Sequence, residues 1–280
     1  MEAIIWSLAV IGGLGILFGL LLGIASKKLS VEVDERVEQI RELLPGANCG
    51  GCGQPGCDGF ASALVEGTVS VGNCSACSAE NAQKIGQILG VSVELGEKKV
   101  ARILCQGDYN ACAERFTYEG VKDCRAAVLV SGGNKACRVG CIGFGSCAKV
   151  CPFDAIHVDQ NGIAHIDEEA CTGCGKCVEA CPQNGIVIMD ASQKVYVACR
   201  NCQPGKEVKD ICSKGCIACG ICEKNCPFDA IHVENNLAQI DYEKCKSCGI
   251  CVKKCPKGCI LTTKKAPQRP PVVPEEDHVA

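Results

Sequence analysis

Aromatic residues make up only 4% of this 280-residue chain, with six Phe, four Tyr and one Trp. So few large apolar side chains leave little core for a polypeptide of this length. Something besides hydrophobic packing must therefore hold much of the fold. Net charge is also slight, at −3, which excludes nucleic-acid binding by the chain as a whole. No Walker loop is present. Gly143-x-Gly145-x-x-Ala148 imitates a dinucleotide fingerprint, but it lies inside a cysteine motif without the strand, helix and distal acid that such a site needs. No acid–base pair has supporting context and no substrate pocket is legible, so the sequence offers no catalytic residue of its own.

Cysteine is what the chain has instead, at 28 residues. That abundance leaves a disulfide scaffold or a metal protein. Disulfide scaffolds are short and secreted, whereas this chain is long and its thiols sit in tight triplets. Metal is the consistent reading, and it requires a reducing compartment. The clearest stretch carries Cys-x2-Cys-x2-Cys-x3-Cys-Pro twice: Cys216, Cys219, Cys222 and Cys226, then Cys245, Cys248, Cys251 and Cys255. This is the two-cluster ferredoxin spacing, in which the fourth cysteine ligates the other [4Fe–4S] cluster. Crossed ligation groups Cys216, Cys219, Cys222 with Cys255, and Cys245, Cys248, Cys251 with Cys226.

The octapeptide CPFDAIHV occurs at Cys151 and again at Cys226, so residues 136–190 and 212–263 form an internal repeat. In the first copy Cys171, Cys174, Cys177 and Cys181 are regular, and Cys151 completes the set of the first three. Phe144 stands where Cys219 stands in the second copy. Cys137 is the nearest replacement, so the first cluster is assigned Cys137, Cys141, Cys147 and Cys181. Cys124 or Cys105 as the fourth ligand, or a three-iron centre, remain open. DAIHV reads as a strand with AHID or AQID as its hairpin partner. His157 and His232 on these strands read as ordinary strand residues.

Residues 1–28 contain the uncharged run Ala3 to Ala25, long enough to cross a hydrocarbon core, with Lys27 and Lys28 directly after it. The positive-inside rule then sets the N-terminus outside and the rest in the cytoplasm. Gly15, Gly19 and Gly23 share a helix face that admits another membrane helix. Residues 29–46 read as an amphipathic linker helix with Val33, Val37, Ile40 and Leu44 on one face. Residues 47–80 hold Cys49, Cys52, Cys57 and Cys74 around a glycine-rich loop. These suit a [4Fe–4S] cluster, with zinc as a second reading and Cys77 as a rival to Cys74. Residues 81–135 read as a connecting region: a helix over 81–89, a short strand over 91–95, a buried apolar run over 126–130, and Cys105, Cys112 and Cys124 widely spaced. Residues 191–211 read as a linker in which Cys199 and Cys202, with Cys212 and Cys259 nearby, either hold a further metal or are simply buried. Residues 264–280 are proline-rich and are expected to be disordered. Lys244, Lys246, Lys253, Lys254, Lys257, Lys264, Lys265 and Arg269 form a basic run without an acidic residue, suited to steering an acidic electron donor.

The uncharged helix, the loop LPGANCGGCGQPGC with distant Cys74, and the ferredoxin-type units together resemble the B subunits of Rnf complexes, which are membrane-bound ferredoxin:NAD oxidoreductases. The resemblance covers nearly the whole chain, in the long form with two ferredoxin-like units. It implies an α+β protein with about five [4Fe–4S] clusters. As an electron-relay subunit, the protein would take electrons from soluble ferredoxin and pass them to flavin-bearing membrane subunits that reduce NAD. The complex would move sodium ions or protons.

Overall fold

The computed structural model describes residues 2–28, 34–93 and 96–263. The N-terminal helix α1 spans Glu2–Lys28. Its stretch Val10–Lys28 is apolar and long enough to cross a membrane, and none of it is buried against the rest of the protein. Such a helix, bare of protein contacts, is compatible with lipid or with other membrane helices as its surroundings.

A small helical unit follows. Helix α2 (Glu35–Leu43) is capped by Asp34, whose carboxylate accepts the Arg36 N–H at 2.9 Å. Of the expected apolar face, Ile40 and Leu44 are buried, and Val33 lies outside the described residues. Helix α3 (Cys57–Val65) and helix α4 (Ala79–Leu89) pack on α2. Phe60, Ala61, Leu64, Ala82 and Ile85 close this core. The Asn81 side chain donates to the Leu43 carbonyl at 2.8 Å, and Arg41 pairs with Asp58 at 2.6 Å. Residues 91–93 form no strand, and 94–95 lie outside the described residues.

The rest is two copies of one plan. In the first, β1 (Lys99–Ile103) comes early, followed by helix α5 (Cys124–Leu129), helix α6 (Ser146–Lys149), the hairpin β2 (Ile156–Val158) and β3 (Ala164–Ile166), helix α7 (Lys176–Ala180) and β4 (Ile186–Asp190). Strand β4 returns antiparallel to β1, with Lys99 opposite Asp190 and Ile103 opposite Ile186. In the second copy, β5 (Val195–Val197) leads, followed by α8 (Gly205–Ile211), α9 (Ile221–Lys224), the hairpin β6 (Ile231–Glu234) and β7 (Leu237–Ile240), α10 (Ile250–Lys254) and β8 (Ile260–Thr262). Strand β8 pairs with β5 as β4 pairs with β1. Both repeated hairpins form as expected from DAIHV, with His157 opposite His165 and His232 opposite Gln239.

Two expectations for the connecting stretches change. Residues 191–211 are no loose linker, because β5 within them completes the second unit's sheet and satisfies the backbone of β8. The run over 126–130 is not buried as a whole: only Ala127 is buried, while Leu129 is 87% exposed, because this run is a short helix that turns one face inward. The expected disorder of 264–280, and with it Lys264, Lys265 and Arg269, lies outside the described residues.

The two units lean on Arg102 of β1, which is almost fully buried. It pairs with Glu168 at 3.2 Å, donates to the Gln193 carbonyl, and lies 4.9 Å from the Tyr196 ring centroid on β5. A guanidinium in such a place satisfies partners from both units at once. In the helical unit Phe60 is the largest fully buried side chain. Phe60→Ala should therefore cost about 3–5 kcal/mol, read as a lowered midpoint in thermal unfolding of the full chain followed by circular dichroism.

Candidate iron–sulfur centres

All 28 cysteines are free thiols. They do not meet in threes at a point that would suit one ion, among the described residues; they line the walls of voids. Four of them are each lined by at least four thiols. A site for a single tetrahedral zinc needs sulfurs about 2.3 Å from one centre, so walls of thiols around a void fit a four-iron cube better.

The second unit matches the crossed pattern read from its spacing. Cys216, Cys219, Cys222 and Cys255 line one void. Cys226, Cys245, Cys248 and Cys251 line another. Local structure explains why the third cysteine of each triplet faces inward. Gly220 and Gly249 adopt left-handed φ of 69° and 77° and start α9 and α10, which carry Cys222 and Cys251. Gly145 and Gly175 do the same before Cys147 and Cys177. Only glycine takes that turn without strain. Backbone N–H groups then point at sulfur: Ala230 donates to Cys226 at 3.4 Å and Ser247 to Cys245 at 3.4 Å. Such bonds favour thiolate and tune a bound cluster's potential. Cys259 also lines the first void, with its sulfur 3.5 Å from that of Cys255. Its thiol hydrogen holds Cys255 down to about 5.

In the first unit, Cys171, Cys174, Cys177 and Cys151 are brought together. Burial pushes Cys177 up to about 12, and the other three thiols surround it and add to the shift. Ala101 donates to Cys171 at 3.3 Å and Ala155 to Cys151 at 3.4 Å. A thiol held that high stays protonated in the empty chain, so cluster assembly must release its proton.

The other set differs from the expected one. Cys141, Cys147 and Cys181 line a pocket with Cys124, and Cys137 lines a different one. The cause is local. Asp123 caps α5 and also accepts the Ser146 hydroxyl at 2.8 Å, while Ser146 accepts the Cys124 N–H at 2.8 Å. This clasp docks the start of α5 on the start of α6 and sets Cys124 beside Cys147. Phe144, which replaces the missing thiol, packs against Cys124, Ala127 and Tyr118 instead, its ring centroid 5.4 Å from that of Tyr118. Burial raises Cys147 to about 12, with Cys141, Cys124 and Cys181 as charged neighbours. Cys124, and not Cys137, is thus the thiol placed beside Cys141, Cys147 and Cys181.

In the helical unit, Cys57 opens α3 and donates its N–H to the Asn48 side chain at 2.7 Å. Cys74 faces Cys52 and Cys49, and burial is the main cause of its raised pKa. Cys77 is pushed up to about 11 by burial, and the neighbour acting on it is Cys74. The placement favours Cys74 over Cys77 beside Cys49 and Cys52. This loop also touches the first ferredoxin-like unit: a Cβ on Gly51 would stand 2.7 Å from the Cys174 carbonyl. A cysteine-bearing loop of one unit therefore lies directly on that of the next.

Family models agree with this layout. A "Putative Fe-S cluster" model matches residues 44–76. "4Fe-4S dicluster domain" models match 137–189, 215–260 and 170–230. Among curated relatives, the B subunit of the Na(+)-translocating ferredoxin:NAD(+) oxidoreductase complex of Acetobacterium woodii is 44% identical, over 87% of this chain and 73% of that protein. The B subunit of the ion-translocating oxidoreductase complex of Methanosarcina acetivorans is 41% identical, over 87% of this chain and 92% of that protein. The B subunit of the proton-translocating ferredoxin:NAD(+) oxidoreductase complex of Clostridium ljungdahlii is 44% identical, over 86% of this chain and 85% of that protein.

If Cys124 and Cys181 hold one cluster, their losses must not add. Cys124→Ala and Cys181→Ala should each remove about four irons per chain, and the double variant no more than either alone. An additive loss, measured by iron and sulfide content after anaerobic purification, would assign the two thiols to different centres.

Proposed function

Since the chain belongs to the B-subunit family of ion-translocating ferredoxin:NAD oxidoreductase complexes, we propose that it receives electrons from reduced ferredoxin at its second ferredoxin-like unit and directs them toward the membrane. It is an iron–sulfur electron-relay subunit of a membrane-bound oxidoreductase complex, built on [4Fe–4S] domains. When bound, the clusters supply one-electron chemistry with little movement of the protein around them.

The thiols proposed as ligands form five sets. These are Cys49, Cys52, Cys57 and Cys74; Cys124, Cys141, Cys147 and Cys181; Cys151, Cys171, Cys174 and Cys177; Cys216, Cys219, Cys222 and Cys255; and Cys226, Cys245, Cys248 and Cys251. One observation supports entry at the second unit. Of these twenty thiols, only Cys219 and Cys248 are exposed, so an electron donor in solution comes nearest to the sets they belong to. Lys246 and Lys257 line those two voids, and Lys246, Lys253 and Lys254 are exposed. Lys244 contributes less than its place in the sequence suggests, since it sits 3.7 Å from Asp229 and 3.8 Å from Asp241. The remaining lysines form a face whose charge suits an acidic ferredoxin.

At the other end, the Cys49 loop is followed back through α2 to α1. Lys27 and Lys28 end α1, and their charge favours the cytoplasmic side for everything after them. The unit nearest the membrane is then the helical one, and Gly15, Gly19 and Gly23 of α1 offer an open face to neighbouring subunits. Flavin-bearing subunits of the complex are the proposed recipients.

The experiment is rapid-mixing reduction of the loaded complex by reduced ferredoxin at varied ionic strength. Reversal of Lys253, Lys254 and Lys257 to Glu should lower the association rate about tenfold at low salt and flatten its salt dependence. An unchanged salt dependence would move the docking site away from this face.

A further inference from the structure

Four thiols that neither two-cluster motif uses converge where the two units meet. Cys105, Cys137, Cys199 and Cys212 line one pocket, together with Cys112. The cysteines of three of the motif sets line pockets of the same kind.

The repeat explains the arrangement. Cys105 follows β1 and Cys199 follows β5, each at the second residue beyond the strand. Cys137 precedes Cys141 in CRVGC, and Cys212 precedes Cys216 in CSKGC, at the same offset. The hydrogen bonds repeat as well. The Cys141 N–H donates to the Cys105 sulfur at 3.3 Å, and the Cys216 N–H donates to the Cys199 sulfur at 3.4 Å. Each unit therefore offers two equivalent thiols to a shared space.

These four sulfurs also share a pattern with the motif ligands. Each accepts from the backbone two residues on: Gly107 for Cys105, Val139 for Cys137, Asn201 for Cys199 and Lys214 for Cys212. Ser247 does the same for Cys245 and Lys176 for Cys174. The Asn201 side chain adds a bond to the Cys137 sulfur at 3.5 Å. Cys112 stands apart. It has no counterpart in the repeat, and it faces the Cys137 backbone and the Cys212 thiol.

Charge completes the case. Lys135 is buried, and its ammonium donates to the carbonyls of Gly107 at 2.7 Å and Gly162 at 2.8 Å. Arg200 and Lys214 line the void itself. Of these cations only Lys135 is buried, Arg200 is half-buried and Lys214 is exposed; their positive charge beside the pocket suits the negative charge of four thiolates around an iron–sulfur core.

We propose that Cys105, Cys137, Cys199 and Cys212 hold a further [4Fe–4S] cluster, two ligands from each ferredoxin-like unit. It rests on the relay reading above and deepens it. Each flanking set would lie one hydrogen bond away, through Cys141 on one side and Cys216 on the other. The site thus joins two units that the motif ligands alone leave as separate pairs.

The test uses the full chain, loaded and purified in detergent without oxygen. Native mass spectrometry together with iron and sulfide content should give six clusters and about 24 irons per chain. The Cys105→Ala/Cys199→Ala double variant, which removes one ligand from each unit, should lose about four irons and no more. Cys212→Ala should lose the same cluster, while Cys112→Ala keeps it. About 20 irons in the parent chain, with no further loss in the double variant, overturns the site and leaves the relay reading intact. An iron-free chain overturns both. Loss of the cluster on Cys112→Ala overturns the ligand assignment. Should the double variant not fold, the mass of the loaded parent chain decides.

Discussion

Ligation of iron by thiolates drawn from distant parts of the chain is the constraint on which the rest of this structure depends. The ferredoxin-like units bury few large side chains; their cores are small clusters of Val, Ile and Ala interleaved with Cys. No sheet has more than two strands among the described residues. Two-stranded sheets are marginal alone. Cross-links through a cluster would supply what packing does not, because ligands far apart in sequence are then tied to one point. The crossed sets illustrate this most directly: Cys255 lines a pocket with Cys216, and Cys226 lines one with Cys245, so a cluster in either would tie the two halves of the second unit together.

The same constraint explains where charge is tolerated inside. Arg102 and Lys135 are both almost fully buried, an uncommon place for either residue type. Arg102 answers to Glu168, to a backbone carbonyl and to the Tyr196 ring. Lys135 answers to two carbonyls and lies 4.6 Å from the Tyr109 ring centroid. Lys135 also acts on the Cys112 and Cys141 thiols, beside pockets where bound clusters would carry negative charge. In a low-dielectric interior such charge stabilises a cation and is stabilised by it.

Order along the chain also acquires a physical meaning. The exposed thiols of the proposed sets lie in the last unit, those of the unit before it are buried or half-buried, and the loop of the first unit touches the middle one at Gly51. A helix with no protein around it stands at the far end. On the proposed route, the exposed thiols would meet the donor and the apolar helix would mark the membrane end. The four-thiol space lies between the two ferredoxin-like units, a junction that no thiol of the five proposed sets crosses.

Much of this was legible from spacing. A cysteine triplet followed by Cys-Pro carries its own geometry, because a short loop around a cube has few solutions. The sets at Cys216–Cys255 and Cys171–Cys177 could therefore be read from the residues alone, as could the repeated hairpins and the apolar first helix. Cys124 could not. It lies far from Cys141 in sequence, and only the clasp of Asp123, Ser146 and the Cys124 backbone brings it to Cys147. Cys137, the nearest thiol in sequence, lines a different pocket from Cys141, Cys147 and Cys181, because nearness in sequence is not nearness in space. Its match to Cys212 across the repeat was present in the residues, but it gained meaning only once β1 and β5 were seen to deliver Cys105 and Cys199 to the same void. Local spacing, then, determined the ligands that one loop can present by itself. Ligands that must come from separate elements were decided by tertiary packing, since nothing in a chain's local pattern states which strand ends will meet.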